Sequence, residues 1–415
     1  MPSVGEICQR AAETSGRVAS LSSSIKDSAL LAMADALLEN AAVLTTANAE
    51  DVERARAEGS SKTIVDRLTL TDARLESMAD GLRAVAAQPD PVGEVVEGWR
   101  RPNGLLIEKV RVPLGVVAVI YEARPNVTAD VAGLCLKSGN ACILRGSSIA
   151  LSSNKAIVEV LQRAAVGRGV PESATQLIPD AGRDSARELM QAKGLVDLLV
   201  PRGGKALIQS IEEQATVPYI IDGDGNCHVF VDRSADPKMA TDIVVNAKTQ
   251  RPSVCNAAET LLVHAEIADK WLPTTLDALD SKGVEIRGDD RVRELWSKAS
   301  PATDEDWGTE YLDLIMAVRV VDSLDDAIAH VNRWGTSNAE AIVAQDISAA
   351  GRFAREVDSG SIFVNASTRF SDGGEFGYGA EIGISTQKLH ARGPMGLREL
   401  TTTKYVAWGE GQVRS

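Results

Sequence analysis

A cysteine that attacks a carbonyl needs its thiolate form, which a turn close to positive charge and free backbone N–H groups favours. Cys255 has such a setting in the run Lys248-Thr-Gln-Arg-Pro-Ser-Val-Cys255-Asn-Ala-Ala-Glu-Thr-Leu-Leu-Val-His264. A helix-like stretch from Ala240 to Lys248 comes before it, then a Gln-Arg-Pro-Ser break, and an apolar strand-like run comes after it. Lys248 and Arg251 bring the charge. The same local sequence also suits a small core residue, because unpaired cysteine is among the most buried residue types. Both readings stand on these residues alone.

A second place where chemistry is expected is Pro201-Arg-Gly-Gly-Lys205, between a strand-like run (Val196 to Val200) and a helix-like one (Lys205 to Gln214). Gly203 and Gly204 at a strand-to-helix turn let backbone N–H groups approach an anion, and the helix N-terminus adds partial positive charge. The pair equally suits turn geometry alone. The dinucleotide fingerprint G-x-G-x-x-G does not occur; Gly377-Tyr-Gly379-Ala-Glu-Ile-Gly383 has one residue too many and follows no strand.

The elements that position these residues follow from periodicity. Residues 1–90 are rich in Ala, Leu, Glu and Arg at helical spacing and predict a helical layer. Asn103-Gly104 is a hairpin turn signal within an arm spanning 99–113, and Thr401 to Trp408 is a second polar strand; both are expected to pair between subunits. From Val116 onward, short β-branched runs alternate with helices. Strands are predicted at Val116 to Tyr121, Ala141 to Leu144, Gln176 to Ile178, Val196 to Val200 and Tyr219 to Ile221. That alternation means an α/β fold with a doubly wound parallel sheet, whose ligand is expected at the carboxyl ends of its strands. A second alternation runs from about His228 to Val364. The division expected is therefore 1–227, 228–364 carrying Cys255, a return over 365–400, and a C-terminal strand over 401–415.

The 415 residues carry a net charge of −14, which argues against nucleic-acid binding. No apolar run approaches the roughly 18 residues of a membrane span, and Glu6 and Glu13 interrupt the place of a signal peptide. A cytoplasmic protein without membrane contact is expected. Five cysteines without a C-x-x-C pair suit a reducing compartment, with Cys135 and Cys142 in an apolar segment. The four histidines share no metal-ligand spacing, so no metal is expected.

Several collinear segments together resemble the gamma-glutamyl phosphate reductase (glutamate-5-semialdehyde dehydrogenase) family of the aldehyde dehydrogenase superfamily. They are Pro113 to Val127, Leu136 to Gly146, Val200 to Lys205, Lys248 to Asn256, Thr309 to Asp313, Phe363 to Phe370 and Gly377 to Gly383. The resemblance implies an aldehyde-dehydrogenase-like fold with two doubly wound domains and a small β oligomerisation arm. It implies that Cys255 attacks L-glutamyl 5-phosphate, releases phosphate, and holds a thioester that NADPH reduces to glutamate 5-semialdehyde, a step of proline biosynthesis. The Cys255 N–H and the Asn126 side chain are the expected oxyanion donors.

For the cofactor, the resemblance implies Arg145, Ser147 and Ser148 near the adenosine ribose, where an arginine and two hydroxyls favour NADPH over NADH. It implies Gly203, Gly204 and Lys205 at the pyrophosphate and Glu310 on the nicotinamide ribose. Arg124, Lys248, Arg251 and Arg369 are candidate cations for the substrate's anionic groups. Oxidising members of the superfamily carry a glutamate base where this chain reads Ile221-Asp-Gly-Asp-Gly-Asn-Cys227, so phosphate rather than water is expected to cleave the thioester. Gly335-Thr-Ser-Asn-Ala-Glu-Ala341 departs from the family's Gly-Ser-x-His-Thr-Asp-like segment, with Asn338 and Glu340 as stand-ins. A homo-oligomer (dimer or tetramer) and transient contact with a separate glutamate 5-kinase are expected. An aldehyde dehydrogenase for another semialdehyde, a CoA-acylating one, a cofactor-free cysteine hydrolase or acyltransferase, and a silent binding protein are the competing readings.

Overall fold

The computed structural model describes residues 2–414. They form two compact units, Met1–Ile221 with Gly377–Gly383 and Met395–Ser415, and Asp222–Phe376 with Ile384–Pro394.

The first unit opens with five helices: α1 (Val4–Ala19), α2 (Ser23–Glu39), α3 (Ala41–Ala57), α4 (Lys62–Leu68) and α5 (Asp72–Ala87). The first begins where Ser3 and Glu6 cap each other's backbone N–H groups, which satisfies donors that a helix start leaves orphaned. After a hairpin of β1 (Val95–Arg100) and β2 (Leu106–Pro113), the alternating part follows. It comprises β3 (Val116–Tyr121), α6 (Pro125–Lys137), β4 (Ala141–Gly146), α7 (Leu151–Val166), β5 (Thr175–Leu177), α8 (Arg183–Met190), β6 (Leu198–Arg202) and α9 (Lys205–Gln214). Its four strands are parallel in the order β5-β4-β3-β6. All six residues of β3 are buried, as a strand covered on both faces requires. The strand expected over 219–221 is only a single bridge between Tyr219 and Leu199. Pro218, with no N–H, cannot extend that pairing.

The second unit contains β7 (Cys227–Val231), α10 (Pro237–Thr249), β8 (Ala258–His264), α11 (Ala265–Asp280), β9 (Glu285–Gly288), α12 (Asp290–Leu295) and β10 (Ser300–Pro301). It continues through β11 (Ile315–Val321), α13 (Leu324–Trp334), β12 (Ala339–Val343), α14 (Ile347–Glu356) and β13 (Ser361–Val364). The sheet order is β10-β9-β11-β8-β7-β12-β13, and every pair is parallel. Alternate residues feed two cores. Val229, Val231, Leu261 and Val263 pack with Trp271 and Leu276 of α11, whereas Phe230, Leu262 and Ile342 pack with Val331 of α13 and Phe353 of α14. A two-stranded ribbon of β14 (Ile384–Ser385) and β15 (Gly393–Pro394) completes the unit.

The unit boundaries differ from the expected 227/228 and 364/365 divisions. Asp222 to Cys227 belongs with the second unit because Gly225 packs on Cys255. Residues 365–376 join it through bonds between Asn256 and both Thr368 and Ser371. Residues 384–394 follow because Ser385 bridges Asp222.

The last strand, β16 (Thr401–Trp408), pairs antiparallel with β2, giving the order β1-β2-β16. The two polar strands expected to seek another subunit thus pair with each other within the chain. Gly104 turns the hairpin at φ +91, where the Arg101 N–H donates to the Leu105 carbonyl at 2.8 Å. The outer strand β1 is exposed along its whole length, with Trp99 lying edge-on to Tyr405. Among the described residues, no single helix is long and apolar enough to cross a membrane.

Candidate active site

Cys255 lies in the turn between α10 and β8, just ahead of the first strand residue. Because the strands of the second unit run parallel, the segments leading into β7, β8, β11 and β12 gather along the amino edge of the sheet. The nucleophile candidate is therefore at the opposite edge from the carboxyl ends where a doubly wound sheet holds a ligand. Cys255 is half-buried, whereas Cys8, Cys135, Cys142 and Cys227 are buried.

The loop before β7 lies directly beneath the Cys255 main chain. A Cβ on Gly225 would overlap the Cys255 carbonyl, so only glycine fits. The Cys227 thiol donates to that carbonyl at 3.2 Å. Burial pushes Cys227 well above the ordinary thiol range, so it is a neutral donor. The Gly225 N–H donates to Oε1 of Glu310 at 2.8 Å. Burial raises Glu310, and the Gly225 bond opposes that shift by favouring the carboxylate.

The segment bearing Glu310 is itself fastened. Leu312 has φ +54, a left-handed conformation strained for a branched side chain, and its N–H donates to Glu259 Oε1 at 3.2 Å. The other Glu259 oxygen pairs with Lys248, and both side chains are fully buried. Burial drives the lysine down and the glutamate up, and their mutual contact opposes both shifts. This overturns the reading of Lys248 as a substrate cation: it is consumed in an internal ion pair.

Arg251 and Arg369 are placed differently. Arg251 is exposed in the turn before Cys255. Arg369 donates from Nε to Gln250 at 2.9 Å. Burial lowers Arg369, with Asp372 opposing, Arg251 adding to the lowering and Cys255 opposing; the two arginines and the thiol thus share one neighbourhood. Asn256 bolts this group together, donating to the Ser371 carbonyl at 2.8 Å and accepting from Thr368 at 2.7 Å.

Asn338 and Glu340 do not serve as stand-ins for substrate-contacting residues. Both are buried, at 0% and 1% exposure. Glu340 accepts from the His228 N–H at 2.6 Å and lies 3.2 Å from its ring Nδ1. It braces neighbouring strands instead.

In the first unit, the candidate cofactor residues stand at the carboxyl ends of β4 and β6. Gly203 follows β6, and a Cβ there would come within 2.8 Å of Glu122 and Leu207. Gly204 caps α9, and its N–H donates to the Glu122 carboxylate at 3.2 Å, showing the affinity of this helix start for an anion. Lys205 is exposed. Arg145 donates through Nη2 to the carbonyls of Ala181 and Gly182 at 2.7 and 2.8 Å, and burial lowers its pKa. Arg145 Nε and Ser147 Oγ are buried without a partner, a donor set that suits an oxygen-rich ligand, and Ser148 is exposed nearby. Arg124 caps α6, and Asn126 in its first turn donates to Asp130 at 3.0 Å. Burial pushes Asp130 up to about 6, with Asn126 opposing. No group of three or more His, Cys, Asp or Glu among the described residues could hold a metal ion.

Two parallel α/β sheets, a half-buried cysteine in a tied loop and a helix start that accepts an anion are the features to set beside known proteins. Residues 2–292 and 307–406 match the aldehyde dehydrogenase family, and the chain belongs to it. Within it, gamma-glutamyl phosphate reductases are near full-length relatives. The protein of that name from Thermobifida fusca is 56% identical, covering 99% of this chain and 98% of its own. That of Caldanaerobacter subterraneus is 54% identical, covering 98% of each chain. The crystal structure of gamma-glutamyl phosphate reductase from Thermotoga maritima has a TM-score of 0.97 at 46% identity, with full coverage of both chains. An acetylating aldehyde dehydrogenase from Geobacillus thermoglucosidasius shares the fold at a TM-score of 0.70, with 19% identity and coverage of 99% of this chain and 97% of its own.

Proposed function

We propose that this chain reduces L-glutamyl 5-phosphate to L-glutamate 5-semialdehyde and phosphate with NADPH, the second step of proline biosynthesis from glutamate. The observation that carries the reading is a half-exposed Cys255 in the turn that also holds Arg251 and the Gln250 bonded to Arg369, in a chain whose near full-length relatives are gamma-glutamyl phosphate reductases.

Cys255 Sγ forms a bond to the acyl carbon, the bond from that carbon to the phosphate oxygen breaks, and inorganic phosphate leaves. The nicotinamide cofactor supplies hydride when bound. The tetrahedral adduct on Cys255 then collapses, the C–S bond breaks, and the thiolate is regenerated as the aldehyde departs. Negative charge on the carbonyl oxygen is met by the Cys255 N–H and by Asn126, whose amide is oriented by Asp130. Arg251, Arg369 and Arg124 are the cations for the substrate's anions; Lys248 is not among them.

Ser147, Ser148 and Arg145 are the residues that would hold the adenosine ribose and its 2′-phosphate, the start of α9 with Gly203, Gly204 and Lys205 the pyrophosphate, and Glu310 the nicotinamide ribose. The orphaned Ser147 hydroxyl and Arg145 Nε support that assignment. The three-stranded arm, with Trp99, Tyr405 and Trp408 exposed, supports assembly into a dimer or tetramer. Transient contact with glutamate 5-kinase, which makes the acyl phosphate, remains part of the reading.

The test uses the reverse direction. NADPH formation from glutamate 5-semialdehyde requires inorganic phosphate or arsenate to cleave the thioester, and equal rates in phosphate-free buffer would contradict the proposal.

A further inference from the structure

We propose that Glu310 positions Cys255 through Gly225, so that a carboxylate assigned to cofactor contact also governs the nucleophile in the cofactor-free enzyme. This rests on the reading of Cys255 as the nucleophile and adds a second duty for Glu310.

The segment Asp222 to Asn226 contains Gly223 and Gly225 and has no regular structure, so it has little stiffness of its own. Its shape comes from bonds to neighbours. Asn226 is held by Thr336 at 2.9 Å and by the carbonyls of Trp307 and Trp334 at 2.7 and 2.9 Å. Those ties fix the end nearest β7. Gly225, the residue in contact with Cys255, is held by Glu310, through a charge-assisted bond stronger than a neutral one. With no Cβ between them, the Gly225 and Cys255 backbones touch, and a displacement of one passes straight to the other.

Glu310 can serve this way because it is fixed from behind. The strained Leu312 keeps its left-handed φ while its N–H is engaged by Glu259, and Glu259 is anchored by Lys248. Force is therefore transmitted from a buried ion pair, through residues 310–312, to the glycine under the thiol. A nucleophile misplaced by about 1 Å loses on the order of a hundredfold in rate. Holding Gly225 is thus a kinetic requirement as well as a packing one.

The test is alkylation of Cys255 by iodoacetamide in enzyme free of NADP(H), followed by peptide mass mapping. The other four cysteines are buried, so labelling at Cys255 is read separately. Glu310→Ala should change the rate at Cys255 by about fivefold or more and lower kcat at saturating NADPH. Glu310→Gln, whose side-chain oxygen still accepts from the Gly225 N–H, should restore labelling to within about twofold of the parent. Parent-like labelling in Glu310→Ala, with only the KM for NADPH raised, overturns the proposal, as does failure of Glu310→Gln to restore labelling. Should the alanine variant not fold, Glu310→Asp withdraws the carboxylate by one methylene and should show the same altered labelling; parent-like labelling there overturns the proposal equally. Turnover retained by Cys255→Ser would remove the nucleophile reading instead, and the labelling comparison would stand apart from it.

Discussion

The α-carbon of Gly225 lies against the main chain of Cys255, with no space for a methyl group between them. Two segments far apart in sequence thereby act as one rigid support for a sulfur atom. A carboxylate, Glu310, secures one of them, and an amide, Asn256, secures the other.

Cys255→Ser should fold as the parent does, because it exchanges sulfur for a smaller oxygen at a half-buried position, yet lose its reductase turnover. A serine hydroxyl is a far weaker nucleophile at neutral pH without an adjacent base. Steady-state rates and near-ultraviolet circular dichroism check this together; a rate within about tenfold of the parent would exclude Cys255 as the nucleophile.

Arg145→Ala should raise the KM for NADPH by roughly ten- to a hundredfold while changing that for NADH far less, since a charge-assisted contact to a 2′-phosphate contributes about 1.5 to 3 kcal/mol. Arg145 also ties down the carbonyls of Ala181 and Gly182. An equal rise for both cofactors would therefore show that it serves only that loop. Glu122→Ala is the complementary change. Removing the carboxylate that occupies the Gly204 N–H should lower the KM for both cofactors.

Lys248→Met should destabilise the protein by about 3–5 kcal/mol, because it leaves the Glu259 charge buried and unpaired. Combining it with Glu259→Leu should recover a large part of the loss. Denaturant unfolding measures both. A single variant of parental stability whose only defect is a raised KM for substrate would return Lys248 to the role of a substrate cation.

Local pattern carried much of the first unit. The run Val116 to Tyr121 is a strand over the expected residues, and Lys205 to Gln214 is a helix with the expected ends, because a continuous β-branched run and a glycine-led helical period are signals of neighbouring residues. The turn holding Cys255 was legible for the same reason. The supports around it were not. Glu310 is 85 residues from Gly225 along the chain, and nothing in either neighbourhood announces that bond. Lys248 misled by proximity: it is close to Cys255 in sequence, but the last turn of α10 aims it inward at Glu259 on β8. Asn338 and Glu340 stand where the chain departs from the family motif, a departure that puts substrate contact by this loop in doubt, and both are buried at the start of a strand inside the sheet. A glutamate at position 259, within the apolar run after Cys255, was the one available clue to a buried partner for a nearby lysine.

The amino-edge location of Cys255 settles where its electrostatic help comes from. In a parallel sheet with helical crossovers, each helix travels back against the strands, so its positive end opens at the carboxyl edge and its negative end at the amino edge. The helix leading to Cys255, α10, finishes at Thr249 and presents carbonyls there, not N–H groups. Unlike cysteines seated on a helix N-terminus, this sulfur draws no favourable dipole from the preceding helix. If Cys255 is the nucleophile proposed above, its electrostatic help comes from side-chain cations, exposed Arg251 and the Arg369 bonded to Gln250, and its alkylation rate should fall as ionic strength rises.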